Sequence, residues 1–403
     1  MKKLKKISVI LVIIVGSVML FKLWNPFSPP TPDRSSGKTI EQSTIRKPFT
    51  EEILQLLQKD YKTIPVSIPH GSDASKQIQK ALNTARDSDT PIKVLLPKGK
   101  YTLKKSLHIY SNTWLKIPTK TILQKADSNN DIMLLNGDFK ATYHGYNGNS
   151  NIIIDGGIWD AGGANIKLRT PSVFGFAHGH NILIRDTVLK NIVGGHAIDL
   201  AGNKNVLIRN SKFLGSRSSN DDYTEAIQID GMISDKAFRR FGSVDFTVTK
   251  NVRIEHNYFG NSHVRNMNPW GVGVGSHSAS HNRPYTNIQI IDNTFEKMTY
   301  AAVRGHNWKD ILIKENQFIE CAQGIQIDSL GNYYYTKNGK DKSSKGALVI
   351  AKFEIHNNDF VDTLGSPIVL YGKTIEFRKN VKASSNSFIN SPSKSLETNT
   401  AAD

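Results

Sequence analysis

One cysteine, Cys321, stands among 403 residues, so no internal disulfide staples this fold. A small disulfide-rich secreted domain is thereby excluded. Acidic side chains are also in short supply, 35 Asp and Glu against 52 Lys and Arg, for a formal charge of +17. That balance favours acidic partners: nucleic acid, anionic lipid or an anionic polysaccharide. Apolar residues make up 38% of the chain, too few for a polytopic membrane protein. No long amphipathic helical pattern interrupts the body of the chain. No phosphate-cradling loop is present either: "GVGVGSHS" (271–278) is rich in glycine but reads as a strand with no helix after it. Its Ser and His lack the strand-turn-helix elbow that a nucleophile needs.

The one long apolar run lies at the start. "MKKLKK" precedes "ISVILVIIVGSVMLF", fifteen residues without a charge, then Lys22-Leu23-Trp24. A basic head before an apolar stretch is an export signal or a signal anchor. No small-residue cleavage site follows, so residues 1–24 read as an uncleaved membrane anchor, with a cleaved signal as the alternative. The body then lies outside the cytoplasm, on a bacterial surface, which removes DNA and RNA as partners. Residues 25–62, rich in Pro, Ser and Thr at first, read as an extracytoplasmic linker. Residues 63–390 form one folded domain, 391–403 a disordered tail, and the chain is read as a monomer.

From about residue 150 the sequence repeats itself. "NILIRDTVLKNIVGGHAIDL" starts at 181 and "NVLIRNSKFLG" at 205, 24 residues later. "NIQIIDNTFEKMTYAAVRG" at 287 and "DILIKENQFIECAQGIQID" at 310 are 23 apart. Short β-rich runs at a period in the low twenties, separated by Asn and Gly, signal a solenoid. Each unit carries N-x-[IVL]-x-I, then Asn-x-Phe, then often a third apolar run. The expected fold is all-β: a right-handed parallel β-helix with three strands per coil. Alternate aliphatics point inward, Asn fills left-handed corners, and Phe259, Phe295, Phe318, Phe360 and Phe388 stack in the core. A leucine-rich repeat would show an L-x-x-L-x-L frame, which is missing.

Upstream, residues 70–125 begin with a helix in which Ile78, Leu82 and Ala85 share one face, followed by strands. A cap of this kind hides the apolar end of the first coil. This opening resembles that of pectate-lyase-like and polygalacturonase-like β-helix proteins, and the resemblance covers most of residues 65–390. Polygalacturonase-like enzymes carry, in order, N-T-D-G-I-D, D-D-C-I-A-I, G-H-G-I-S-I-G-S and R-I-K. Here "GGHAIDL" (194–200), "TEAIQI" (224–229), "PWGVGVGS" (269–276) and "AAVRGH" (301–306) follow in the same order. His196 replaces the first acid, Thr224-Glu225 the acid pair, and Trp270 the motif His; Arg304 matches the motif Arg.

Strand parity offers an independent view of the same residues. With Ile198, Ile227, Ile229, Val272, Val274, Val303, Ile325 and Ile327 inward, the outer face reads Asp199, Gln228, Asp230, Gly271, Gly273, Gly275, Ala302, Arg304, Gln326 and Asp328. Acids and amides beside glycines suit a sugar chain lying close to the backbone. Asp199 and Asp230, one coil and two residues apart, should stand roughly 8 Å from each other, within the ~6.5–9.5 Å range of inverting glycosidases.

The expected function is an extracytoplasmic inverting glycoside hydrolase acting on an acidic polysaccharide. Glu225 is the expected general acid, its pKa raised by neighbouring acids, with Asp199 and Asp230 handling water. Arg304, His277, His196, Trp270, Gln228, His306, Gln326 and Asp328 are expected to hold substrate, and no metal or cofactor is required. Two alternatives stand beside this reading. A polysaccharide lyase would use Arg304 or His306 as base, with Ca²⁺ at Asp221, Asp222, Glu225 and Asp230. A non-catalytic glycan-binding β-helix would rely on aromatic platforms, from Trp270, Trp308 or the loop "GNYYYTKNGKDKSSKG" (331–346).

Overall fold

The computed structural model describes residues 49–165, 172–218, 224–233, 243–276, 283–329, 332–337, 340–345, 352–372, 380–392 and 397–399. All of them belong to one compact unit, Ile45–Asp403. Strands pair in parallel with the strand one coil away, and the pairings resolve into three ladders. The first ladder includes His180–Arg185, Lys204–Arg209, Lys250–Glu255, Tyr285–Ile291 and Trp308–Lys314. The second includes Val188–Val193, Lys212–Arg217, Tyr258–Gly260, Thr294–Glu296 and Gln317–Ile319. The third includes Phe174–Ala177, Ile198–Ala201, Glu225–Asp230, Val272–Gly275, Ala301–His306, Ile325–Ser329 and Ile368–Gly372. A chain that visits the ladders in turn and returns one rung higher is a parallel β-helix.

The repeated residues explain the stacking. Phe213, Phe259, Phe295, Phe318, Phe360 and Phe388 form one column, with ring centroids 4.6 to 5.3 Å apart and planes within 15° of parallel. Rung spacing of about 4.8 Å imposes that near-parallel stack. Asn151, Asn181, Asn205, Asn251 and Asn287 turn the corner into the first ladder at φ 54 to 57°. Asn tolerates this left-handed backbone better than most residues. Their amides bond from rung to rung, as in Asn251 Nδ2 to Asn205 Oδ1 at 2.8 Å. A second column, buried from Asn257 to Asn358, runs Asn257, Asn293, Asn316, Asn358 and Asn386, each amide also donating to a strand carbonyl.

Among the described residues two helices flank the solenoid. Helix α1, Thr50–Leu54, runs into a 3-10 turn, Gln55–Gln58, and buries Ile53 and Leu56 on Ile153, Leu183 and Leu207, the outer face of the first ladder. Glu52 accepts from the Nδ2 groups of Asn181 and Asn205 at 3.0 and 3.2 Å. This stretch was expected to be linker; two apolar contacts are too few for periodicity to reveal it. Helix α2, Ala74–Arg86, is the expected cap. Asp73 caps its N-terminus by accepting from Ser75 N at 3.0 Å, and Ile78, Leu82 and Ala85 join the core. Gln79 accepts from His108 N at 2.7 Å and donates to His108 O at 3.0 Å, so a side chain substitutes for a missing strand.

The Tyr-rich loop offered above as an aromatic platform contains an antiparallel hairpin of Asn332–Lys337 with Lys340–Lys345. Among the described residues no helix is long and apolar enough to cross a membrane. The expected anchor, 1–24, and the linker up to residue 48 lie outside the described residues, as does most of the tail.

Candidate functional site

The outer face of the third ladder gathers the polar residues singled out above. Register sets them in two rows along the solenoid. One row runs Gly175, Asp199, Gln228, Gly275, Arg304, Gln326 and Val369. Beside it, Ala201 pairs with Asp230, and His306 with Asp328 and then Tyr371. One end of this face is walled off: Ala141 and Tyr143 pack on Ala177, Ala201 and Met232. The polar part of this face therefore begins at Asp199 and Gln228, both with only a few per cent of their surface exposed.

Strand parity fails at one bend. Register skips Ala226 and Gly273, pairing Glu225 with Val272 and Ile227 with Val274. Ala226 and Ala302 belong to the core cluster, and a Cβ on Gly273 would meet the Phe295 ring at 2.5 Å. Gly273 and Ala302 thus face inward, contrary to the alternation drawn from sequence. The bend turns Glu225 outward, and a Cβ on Gly275 would lie 3.0 Å from Glu225 Cγ.

The acids have different surroundings. Asp230 is buried, and its carboxylate accepts from Gln228 Nε2 at 3.0 Å, Gly231 N at 2.8 Å and the Tyr285 hydroxyl at 2.8 Å. Tyr285 opens a first-ladder strand, so Asp230 joins two ladders. Glu225 is fully buried. His196 Nδ1 lies 2.9 Å from the Glu225 carbonyl and 3.7 Å from its Oε2. A carbonyl only accepts, so this nitrogen carries the proton. Asp199, 7% exposed, lies one rung and two residues from Asp230, about 8 Å by rung geometry.

Farther along, Asp328 accepts from Gln326 Nε2 at 3.1 Å, with Arg304 Nε and His306 Nδ1 each 3.9 Å from its Oδ2. Gln326 Oε1 and His306 Nδ1 are buried atoms without a hydrogen-bond partner. These acceptors and donors line the groove at the coils after Gly275. Arg304 stands three rungs from Asp199, about 14 Å away.

Other expected contacts are placed elsewhere. Trp270 is fully buried among core residues and presents no face to a sugar, which corrects its reading as a substrate contact. In its repeat the third-ladder strand starts two residues later, at Val272, so the indole falls inside the coil. Trp308 is likewise buried and donates to Ser276 Oγ at 2.9 Å. His277, Asp221 and Asp222 lie outside the described residues. Among the described residues, no group of three or more His, Cys, Asp or Glu is placed to hold a metal ion. Sequence reasoning missed Tyr285, because 55 positions separate it from Asp230.

These features define a right-handed parallel β-helix, a fold shared with polygalacturonases, with rows of polar residues on the outer face of its third ladder. No protein-family model matches the chain. Over 361 residues it is 28% identical to plasmin and fibronectin-binding protein A of Streptococcus pneumoniae, matching 81% of this chain and 50% of that protein. The chain thus spans about half the length of the curated relative it matches. A crystal structure of PfbA, a surface adhesin of Streptococcus pneumoniae, superposes with a TM-score of 0.64 at 23% identity, covering 83% of this chain and 81% of the other. The polygalacturonase of Erwinia carotovora superposes with a TM-score of 0.54 at 13% identity, covering 92% and 99%. The fold is therefore shared by adhesins and glycosidases alike, and the site has to decide between them.

Proposed function

We propose that this chain is a non-catalytic, surface-displayed binding protein of adhesin type, whose third-ladder groove holds a glycan without cleaving it. The observation that carries this reading is the triple hydrogen bonding of Asp230. Glycoside hydrolysis needs two carboxyl groups that reach the scissile bond or its water. Asp230 is committed to Gln228, Gly231 and Tyr285, and Glu225 is fully buried. Asp199 keeps 7% of its surface exposed, and a single acid makes a contact rather than a mechanism. Arg304, Gln326 and His306 supply further polar contacts along the same floor. The similarity to a protein named for binding plasmin and fibronectin adds these two proteins as ligands to test.

The test pairs catalysis with binding. The protein is incubated with neutral and uronic-acid polysaccharides while reducing ends and the ultraviolet absorbance of unsaturated products are followed. Binding to the same glycans, and to immobilised plasmin and fibronectin, is measured in parallel. The expected result is binding without either product. Release of reducing ends that Asp199→Asn abolishes would restore the hydrolase reading, and unsaturated products would restore the lyase.

A further inference from the structure

We propose that a separate surface, a lysine track at the corner between the third and first ladders, binds a linear sulfated polysaccharide lying parallel to the solenoid axis. The track is set by register. His180 pairs with Lys204, Lys204 with Lys250, Lys250 with Thr286, and Thr286 with Lys309. Residues in register on parallel strands point the same way, so these five form one row. Four rung intervals carry it over about 19 Å. Ser150 precedes His180 and bonds its Nδ1 at 2.7 Å. The row therefore contains no carboxylate from Ser150 to Lys309.

Three features distinguish this row from an ordinary solvated face. Among the described residues Lys204, Lys250 and Lys309 form no ion pair, although many other cations on the solenoid do. Lys250 is held in place, its Nζ lying 4.9 Å from the centre of the Tyr146 ring. Tyr146 is itself anchored, donating to Val248 O at 2.8 Å. The nearby carboxylate of Asp245 is occupied, accepting from Gly145 N and Thr247 N at 2.7 and 3.0 Å. On the neighbouring corner track the amides of Asn181, Asn205, Asn251 and Asn287 are taken up by one another and by Glu52, so the contact with a polyanion falls to the lysines.

The spacing points to the kind of partner. Lys204 and Lys250 are one rung apart and Lys309 stands two rungs beyond, so cations recur at about 5 and 10 Å. A sugar ring spans about one rung, so anionic groups on successive or alternate sugars meet successive or alternate rungs. An ammonium is a compact point charge that binds sulfate without demanding a fixed approach. A polymer on this track releases counterions, and its affinity falls with salt.

The experiment measures binding of the full chain to heparin across a salt series. Lys204→Gln/Lys250→Gln/Lys309→Gln should weaken binding roughly tenfold to a hundredfold and flatten the log–log salt slope by about two to three. Melting should be unchanged, because all three side chains reach solvent. The control Lys76→Gln/Lys80→Gln/Lys98→Gln removes equal charge at exposed sites near the cap. Unchanged binding in the first triple, or an equal loss in the control, overturns the track. Tighter binding to a single-stranded oligonucleotide, lost in the first triple, assigns the surface to nucleic acid instead and overturns the polysaccharide. Asp199→Asn/Arg304→Gln should leave heparin binding intact, which separates this surface from the groove.

Discussion

The hydroxyl of Tyr285 donates a 2.8 Å hydrogen bond to Oδ1 of Asp230, tying the start of a first-ladder strand to the end of a third-ladder strand. Both side chains are buried. A carboxylate placed there is a structural acceptor, and its removal should register as lost stability. Asp230→Ala strands the Tyr285 hydroxyl and the Gly231 amide, and should cost about 2–5 kcal/mol in denaturant unfolding. Tyr285→Phe should cost less, about 1–2 kcal/mol, and the double variant should show a coupling of about 0.5–3 kcal/mol. Additive losses would mean that the two residues do not act as a pair.

The bend at Ala226 and Gly273 predicts an asymmetry between Gly273 and Gly275, two residues apart but on opposite sides of the strand. A methyl on Gly273 meets the Phe295 ring at 2.5 Å and the Ala302 carbonyl at 2.8 Å. A methyl on Gly275 meets its neighbours at 3.0 Å, on the groove side. Gly273→Ala should therefore destabilise by about 3 kcal/mol or more, and Gly275→Ala by about 1 kcal/mol. Glycan binding should suffer more in the Gly275 variant. Equal stability losses would return Gly273 to the outer face.

The buried amide column predicts a sharp local weakness. Asn316 donates to Ile290 O and Asn358 Oδ1, and its own oxygen accepts from Asn293 N and Nδ2. Asn316→Ala takes the acceptor from Asn293 N and Nδ2 and the donor from Ile290 O and Asn358 Oδ1, and should cost about 3–5 kcal/mol. Hydrogen exchange should accelerate first at the rungs of Asn293 and Asn358, not at the cap. Uniform acceleration would show that the column has no local role.

Alkaline pH should destabilise the fold. Burial pushes the Cys321 thiol up to about 12 from 9.0, and the Tyr61 and Tyr146 hydroxyls up to about 12 from 10.0. These groups keep their protons when folded and lose them when unfolded. Their contribution is thus fully present below pH 9 and declines as pH rises from about 9 to 12. Urea midpoints should fall across that window, and Tyr61→Phe/Tyr146→Phe should flatten the fall. Native Cys321 should also resist alkylation near neutral pH, because the thiolate is the reactive form.

The solenoid was legible because its instructions are local and repeated. N-x-[IVL]-x-I and Asn-x-Phe recur at each rung, and the Phe column and both Asn columns follow from stacking identical units. Helix α2 was legible for the same reason, since its buried face recurs at helical spacing. The outer rows holding Asp199, Gln228, Arg304, Gln326 and Asp328 also followed from alternation, which holds wherever a strand stays straight. Alternation broke at Gly273 and Ala302, where a bend puts two successive residues on the core side. Trp270 likewise lies buried just before its strand. The partners of Asp230 come from a hydrogen bond across 55 residues, for which no local signal exists. Insertions between rungs make sequence distance a poor guide to which side chains meet. Residue types and their side of a strand are properties of a single coil; which acid is bonded across two ladders depends on the neighbouring coils, and only the stacked structure supplies them.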